Sequence, residues 1–519
     1  YLTRRRFGRT ESPIATAVVA QAARIGSDET DVWFLLVRSE FRDALPELHS
    51  LALTCVPEER LGELLLPPAE AGLARIASGV ICDALASPRC CRAVLRGILA
   101  GRTRPIPGGE LVLTPIGPRA TDADADTLET LPLSLHLDGR YATSVSYGDR
   151  FVLKAFHRVE EGPSPAVEAG RHLMRSEPDA GFAPLAGCVE YRRPGAEPAT
   201  LDVLYRFVPN QGTAWHHAMD ELSRYFERVA ALSRESPPAP PPPVPLFGEC
   251  PECTDDALEL IGGFVESARQ LGRRTAAIHL ALARSRDPAF APEPFGKLYQ
   301  RSLYQGVRNL LGKLMRAIDS ERRTRADVDP LIAEFLAGAP KLLEPFHRFR
   351  SESLTGRRIR IHGDYHLARL LNTGRDFVVT DFEGDPARTL DDRRIKRSPL
   401  RDVAAMICSL DYAVNVALLG LGNRRGHAQG VIRDEDLPSL RPWAEAWFQR
   451  VSREFLQTYL SEMESSKLLP DSEAERRDLM QFLLLEQRTR EAAAELQAGT
   501  GRVSIPLHGI LRSLPTPKG

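Results

Sequence analysis

Residues 359–385 read IRIHGDYHLARLLNTGRDFVVTDFEGD, and the rest of the chain is read outward from them. Ile359 and Ile361 lead into His362-Gly363-Asp364. A turn sequence, Asn372-Thr373-Gly374, comes next. A second apolar run, Phe377-Val378-Val379, ends at Asp381-Phe382-Glu383. The pattern predicts two short strands, each presenting an acid at its C-terminal end. Phosphoryl transfer to a hydroxyl needs that layout. One carboxylate takes the proton of the attacking hydroxyl, and the other holds the Mg2+ that bridges the nucleotide phosphates.

Composition sets the outer bounds. A chain of 519 residues exceeds one ordinary core, so two or three packed subdomains are expected. Hydrophobic residues at 43% and charged residues at 26% mark a globular chain rather than a disordered one. A net charge of -1 argues against a general nucleic-acid binder. The basic run Arg4 to Arg9 reads as a solvated tail. No apolar run approaches the ~20 residues that cross a bilayer, and YLTRRRFGRTES has no apolar core of signal-peptide type. The first residue is not Met, so the chain reads as part of something longer. Eight cysteines without a paired framework predict a reducing cytoplasm. Cys250-Pro251-Glu252-Cys253 is a lone CxxC without the second pair or His partners that a zinc site needs.

In chain order, residues 1–125 read as a leading subdomain. Val32 to Val37 is a buried-strand candidate, with Leu51 to Thr54 as its partner. Ala69 to Leu99 carries apolar residues at helical spacing, interrupted at Ser87-Pro88. The acidic stretch Thr121 to Asp126 marks a boundary.

Residues 126–209 read as a β-containing lobe. Ala142 to Ser146, a turn at Gly148-Asp149 and Phe151 to Phe156 predict a hairpin. Lys154 sits in the middle of its second strand. It is either a lysine for nucleotide phosphates or an exposed edge lysine, and the strand by itself leaves both open. Ser164-Pro165 predicts a helix start, with Glu168 in its first turns. A strand Lys followed by a helix Glu has the order of the kinase ion pair. The hairpin lacks GxGxxG, so phosphate cover falls to backbone N–H groups of 142–146 and to the Thr143 and Ser144 hydroxyls. The strand from Leu201 ends at Pro209. In a two-lobed plan this is the hinge, where adenine finds backbone partners at Arg206 and Val208.

Residues 210–519 have helical periodicity from Asp255 onward, with 359–385 as an interruption. SPPAPPPPVP at 236–245 predicts a stiff extended loop, or a ligand for a proline-recognising domain. The fold class expected is α+β: a two-lobed protein-kinase-like plan with an extra leading subdomain. In the kinase signature a second metal ligand stands five residues after the base; here that position is Arg369.

The blocks FVLKAFHRVEEGPSPAVEAGRHL, YRFVPNQGTAWHHAMDELSRYFE, IHGDYHLARLL and DFVVTDFEGDPARTLDDRRIKRSPLRDVAAMICSLDYA resemble the maltokinases that are fused to or encoded beside trehalose synthase. The likeness runs from about Tyr141 to Leu511. It implies an aminoglycoside-kinase-like fold and ATP- and Mg2+-dependent phosphorylation of maltose to maltose 1-phosphate, in trehalose and glycogen metabolism. It also implies a trehalose synthase domain or subunit as partner, with no nucleic acid and no membrane.

By position, the resemblance makes Asp364 the base and Asp381 the Mg2+ ligand, with Glu383 beside it. Lys154 and Glu168 become the ion pair on ATP. His362 orders the loop, and His366 supports Asp364 from behind. Arg394 and Arg401 contact the acidic loop or phosphates, or form structural salt bridges only. Gln487 stands on the sugar-binding helix. Three features depart from the family. HGDYHLGQ reads HGDYHLAR here, and an Arg cannot replace a metal-binding Gln. The sugar helix carries Gln487, Arg490 and Ala494 where the family has a Lys and two Tyr. A Trp-Phe-Gly-Gly-Lys block reads Arg6-Phe7-Gly8-Arg9-Thr10. Three readings are open: a maltokinase, a kinase re-aimed at another sugar or amino sugar, and a kinase-fold regulatory or docking module without turnover.

Overall fold

Runs of alternating and β-branched residues between 14 and 206 build two antiparallel sheets, and the helical periodicity beyond 210 builds a mainly helical unit. A computed structural model describes residues 13–27, 30–117, 128, 130–138, 141–232, 239–249, 260–323, 329–420 and 436–513. The basic run Arg4 to Arg9, the 6–10 block, the acidic stretch 121–126 and Cys250 with Cys253 lie outside the described residues. The chain divides into two compact units, Tyr1–Pro209 with Asp381–Ile395, and Asn210–Thr380 with Lys396–Gly519.

In the first unit, β1 (Ile14–Ser27), β2 (Thr30–Phe41), β3 (Glu47–Val56), β4 (Gly72–Ile76) and β5 (Gly79–Asp83) form one sheet in the order β1-β2-β3-β5-β4. Leu35 lies opposite Leu51, the pairing expected from the two apolar runs. Helix α1 (Pro88–Leu99) comes next in the chain. The second sheet has β6 (Thr103–Ile106), β7 (Gly109–Pro115), β8 (Leu133–Asp138), β9 (Ala142–Tyr147), β10 (Phe151–Phe156), β11 (Leu185–Arg192) and β12 (Ala199–Arg206), in the order β6-β7-β11-β12-β10-β9-β8. Helix α2 (Pro165–Ser176) lies between β10 and β11 in the chain. Phe34 and Leu36 of the first sheet, Leu95 and Ile98 of α1, and Val145, Leu153 and Leu204 of the second sheet share one apolar core.

Three expectations change here. The apolar residues from 73 to 81 form the β4–β5 hairpin rather than a helix, and Leu85 follows in a 3-10 turn. Gly79 turns it at φ 138°, where a Cβ would strike the carbonyl of Val56. The boundary set at residue 125 also moves. β6 and β7 belong to the second sheet through the β7–β11 pairing, so 103–115 cannot be separated from the β-containing lobe. The segment Asp381–Ile395, read by sequence with the helical lobe, packs with the first unit.

The second unit contains α3 (Ala214–Ala230), α4 (Phe264–Ala283), α5 (Lys297–Arg322), the hairpin β13 (Leu370–Asn372) and β14 (Phe377–Val379), α6 (Leu400–Leu418), α7 (Leu437–Met463), α8 (Glu473–Ala498) and α9 (Ser504–Leu511). Thr213 and His216 cap α3 reciprocally. Gly272 on α4 meets the backbone of Phe455 on α7 so closely that a Cβ would lie 2.6 Å from the Phe455 carbonyl oxygen. The helix expected over 328–349 is shorter, Pro330–Gly338, because Pro340 and Pro345 interrupt the α-helical hydrogen bonds and leave 3-10 segments at 339–341 and 344–350. The Pro-rich stretch, described from 239, forms neither helix nor strand. Gln449 Oε1 accepts from Val244 N at 2.8 Å and Arg453 donates to Pro245 O at 2.6 Å, so it is held along α7. The strand expected at Ile359–Ile361 is reduced to one bridge, Ile359 to Arg397. Among the described residues no helix is long and apolar enough to cross a membrane.

Candidate active site

Each unit carries one cluster of the residues singled out by sequence. In the first, β10 holds Lys154 between Ser144 on β9 and Val203 on β12. Its Nζ donates to Asp381 Oδ1 at 2.7 Å and also pairs with Glu383 Oε1. The edge-lysine reading is excluded, since Lys154 is buried. Asp381 sits at φ 62°, one of two positive-φ non-glycines among the described residues, and Gly384 lies at φ 71°. Left-handed backbone at a non-glycine is uncommon and concentrates at functional positions. Here it brings two carboxylates within one tripeptide onto a single ammonium.

The tripeptide is anchored from behind. Arg393 donates to the Glu383 carbonyl at 3.2 Å and pairs with Glu160. Arg394 donates to both oxygens of Glu168, at 2.9 and 3.0 Å. Arg394 and Glu168 therefore tie the short helix Leu390–Arg394 to α2. The second carboxylate oxygen of Glu383, Oε2, is buried with no hydrogen-bond partner among the described residues. An orphaned carboxylate oxygen beside a second carboxylate suits a hard divalent cation such as Mg2+, which takes oxygen ligands.

The two hairpin hydroxyls separate. Successive strand residues face opposite ways. Ser144 lies opposite Lys154, whereas Thr143 lies opposite Ala155 and bonds His157 Nε2 at 2.9 Å. Thr143 thus faces away from the lysine, contrary to the expectation that both hydroxyls cover phosphates. Arg206 ends β12, its N–H donating to Pro184 O at 2.8 Å, and the Phe207 N–H goes to Arg150 O at 2.9 Å. Val208 lies beyond the end of β12, in the irregular link that reaches Pro209.

In the second unit, His362, Asp364, His366 and Arg369 share one loop. Gly363 at φ 82° makes the bend. His362 Nε2 contacts Thr380 O at 2.7 Å, and its Nδ1 accepts from Asp364 N at 3.3 Å. The ring bridges the start of the loop and the end of β14. Arg369 donates to Asp364 Oδ2 from Nε at 3.1 Å and from Nη2 at 2.6 Å, and His366 Nε2 is 3.7 Å from the same oxygen. Burial pushes the Asp364 carboxyl up, but the nearby His366 and the charge and hydrogen bonds of Arg369 outweigh it and hold the group well below the usual carboxylate range.

Sequence reading missed Asp402. It is buried on α6 and accepts from His362 N at 2.7 Å and Gly363 N at 2.9 Å, while His279 Nε2 lies 3.2 Å away. Ser409, two turns on, accepts from Leu367 N at 3.2 Å. One helix therefore fixes both ends of the loop. The run SPLRDVAAM held the signal: an acid in the first turn of an otherwise apolar helix.

Arg401 and Gln487 lie elsewhere in this unit. Arg401 pairs with Glu486 at 2.5 Å, which also accepts from Arg490 at 2.7 Å, the salt bridge that is one of its two expected roles. Gln487 donates to Glu491 Oε1 at 3.0 Å. One helical turn beyond Glu491 on α8, Glu495 accepts from Tyr412 OH of α6 at 2.6 Å, and Tyr412 in turn meets Trp215 of α3, a half-exposed aromatic pair with ring centroids 6.2 Å apart. Burial pushes Glu491 up to about 7, with Asp411 and Glu495 adding to the rise and Gln487 and Arg488 opposing it. α3 and α6 also pack against the Leu367–Arg369 turn.

No protein-family model matches the chain. Among curated proteins, a glucosamine kinase of Streptacidiphilus jiangxiensis is 24% identical over 283 residues, 53% of this chain and 50% of that protein. A glucosamine kinase of Mycolicibacterium smegmatis is 26% identical over 285 residues, 53% of this chain and 57% of that protein. The chain spans about half the length of the curated relatives it matches. Among solved structures, a glucosamine kinase in complex with glucosamine, ADP and inorganic phosphate superposes with TM-score 0.60 at 18% identity, over 97% of this chain and 96% of that one. A second crystal form of glucosamine kinase gives TM-score 0.62 at 19% identity, over 96% and 94%.

The chain has a kinase fold. The two-lobed α+β class expected from the sequence is the class observed. The relatives found are glucosamine kinases, and none of these four is a maltokinase.

Proposed function

We propose that the chain is an ATP-dependent kinase of an amino sugar of the glucosamine class. The observation that carries the kinase reading is Lys154 buried between Asp381 and Glu383. The likeness to glucosamine kinases supports it. Glu491 supports the choice of an amino sugar: the one side-chain donor to its own carboxylate among the described residues is the neutral Gln487, while the neighbouring Arg488 bonds Gly509 O and pairs with Asp411, so an ammonium would supply a cation in direct contact. Trp215 and Tyr412, tied to Glu495 one turn further along α8, offer apolar ring faces, as sugar sites require.

In this reading the acceptor hydroxyl bonds to Asp364 Oδ1, the oxygen that Arg369 leaves open. The hydroxyl oxygen bonds to the γ-phosphorus of ATP, the bond from that phosphorus to the β,γ-bridging oxygen breaks, and ADP leaves. The hydroxyl proton passes to Asp364. A weakly basic carboxylate suffices, because a loose transfer asks more of positioning than of proton abstraction. Arg369 and His366 keep Asp364 ionised and oriented. Lys154 neutralises nucleotide phosphate charge. Asp381 and Glu383 would hold one Mg2+, whose chemistry is charge neutralisation on the phosphate oxygens. Arg369 cannot serve as a ligand for a second ion, since its guanidinium stays protonated.

Maltose is the second reading, favoured by the block IHGDYHLARLL; association with a trehalose synthase goes with it. ADP release should be measured with Mg-ATP and glucosamine, galactosamine, glucose or maltose, with Asp364→Asn as control. Turnover on an amino sugar, lost in the control, is expected. Turnover on maltose alone would restore the maltokinase reading. No turnover above the control on any sugar would leave a binding module without catalysis.

A further inference from the structure

Behind the sheet that carries Lys154 lies a cavity of about 220 Å3, wholly within the first unit. Phe34 and Leu51 of the first sheet, Leu85 and Val94 beside and on α1, and Leu113 and Leu201 of the second sheet make its walls apolar. Its floor is fixed by register. Ala155 lies opposite Asp202 on one side and Thr143 on the other, so all three share the face turned away from Lys154.

The polar groups on this floor are not equivalent. Thr143 and His157 satisfy one another at 2.9 Å. Asp202 lines the same space, and among the described residues nothing donates to its carboxylate. Arg96, Arg102 and Arg104 also line the cavity but none pairs with it. Burial, with no offsetting partner, pushes the Asp202 carboxyl up to about 7. A carboxylate in an apolar chamber is costly unless a cation meets it.

We infer that this cavity is a binding site for a small amine with an apolar body, its ammonium paired with Asp202. Size agrees: an apolar cavity of about 150 Å3 takes up benzene, so 220 Å3 admits a ring with a short aminoalkyl arm. An apolar body fills the walls while the ammonium supplies the donor that the chain does not. The site is independent of the proposed reaction, since it uses none of the residues assigned to phosphoryl transfer.

The test is calorimetric titration of 2-phenylethylamine into the full chain, with 2-phenylethanol as the neutral comparison. Saturable binding of the amine, tighter than the alcohol, is expected. Asp202→Asn should weaken it by about tenfold or more, the worth of one charge-assisted hydrogen bond. Glu491→Gln should leave it unchanged, which separates this cavity from the acceptor patch. Val94→Phe should abolish binding by filling the chamber, and a cooperative melt of that variant shows that it still folds. No saturable binding to the wild type, equal affinity for amine and alcohol, or equal affinity in Asp202→Asn overturns the inference.

Discussion

Arg369 directs both of its hydrogen bonds to Asp364 at the same carboxylate oxygen, Oδ2. Oδ1 receives no donor among the described residues, so the pair pins the carboxylate while leaving one oxygen for an acceptor. At the position where the kinase signature carries a metal ligand, this chain thus has a cation that covers one oxygen of the neighbouring acid and not the other.

Removing this cation should be visible in pH profiles. Asp364 is depressed in the folded state, so its contribution to stability is present above the ordinary Asp pKa of about 3.9 and is lost as pH falls below it. Arg369→Ala is expected to cost about 1–3 kcal/mol at pH 7, with the gap to wild type narrowing as pH falls below about 4. The acid limb of kcat/KM should move up toward pH 4. Thermal melts between pH 3 and pH 8 check the first, and an unchanged gap across that range would refute the pairing.

Lys154→Met leaves Asp381 and Glu383 facing each other without their shared ammonium. The loss should be on the order of 3 kcal/mol, as for other buried pairs broken from one side. The stabilisation by Mg-ATP should also fall, because a ligand that binds only the folded state raises its melting point. A variant that keeps the full Mg-ATP shift would remove Lys154 from the nucleotide site.

For Glu491 the sign is opposite to that of Asp364. Its raised pKa means that the folded chain holds a proton that the unfolded chain has released between about pH 4.5 and pH 7, so stability falls as pH rises through that window. Glu491→Gln should therefore gain on the order of 1–3 kcal/mol at pH 8 and nothing at pH 4. In the wild type, KM for glucosamine should fall as pH rises through 7. The variant should lose that dependence and show about tenfold higher KM, with glucose unaffected. Equal effects on both sugars would argue against an ammonium at this acid.

Asp402 caps two backbone N–H groups of the loop and faces His279. Asp402→Ala strands all three, and a loss of about 3 kcal/mol is expected together with loss of turnover. Asp402→Asn retains an acceptor and should recover part of the stability. Melting curves and ADP release on both variants separate loop support from direct chemistry. If the alanine variant kept full activity, Asp402 would have no positioning role.

The hairpin 142–156 was legible because its signals are local: alternation, a Gly-Asp turn and one lysine in mid-strand. The start of α2 was legible for the same reason, although Ser164 occupies the cap position without a side-chain bond. The 73–85 stretch was not. Its apolar residues at helical spacing also suit two short strands, and only the partner strand β3 and the turn at Gly79 decide between them.

The sequence alone determined which acids, lysine and loops the chain possesses and in what order, because those are properties of short segments. Only the tertiary structure decided their company. Lys154 meets Asp381 and Glu383 across more than two hundred residues, Thr143 turns from Ser144 to the opposite face, and Trp215, Tyr412 and Glu495 meet in sequence from three helices. Those relations depend on strand register and helix packing, which long-range burial selects and no local pattern encodes.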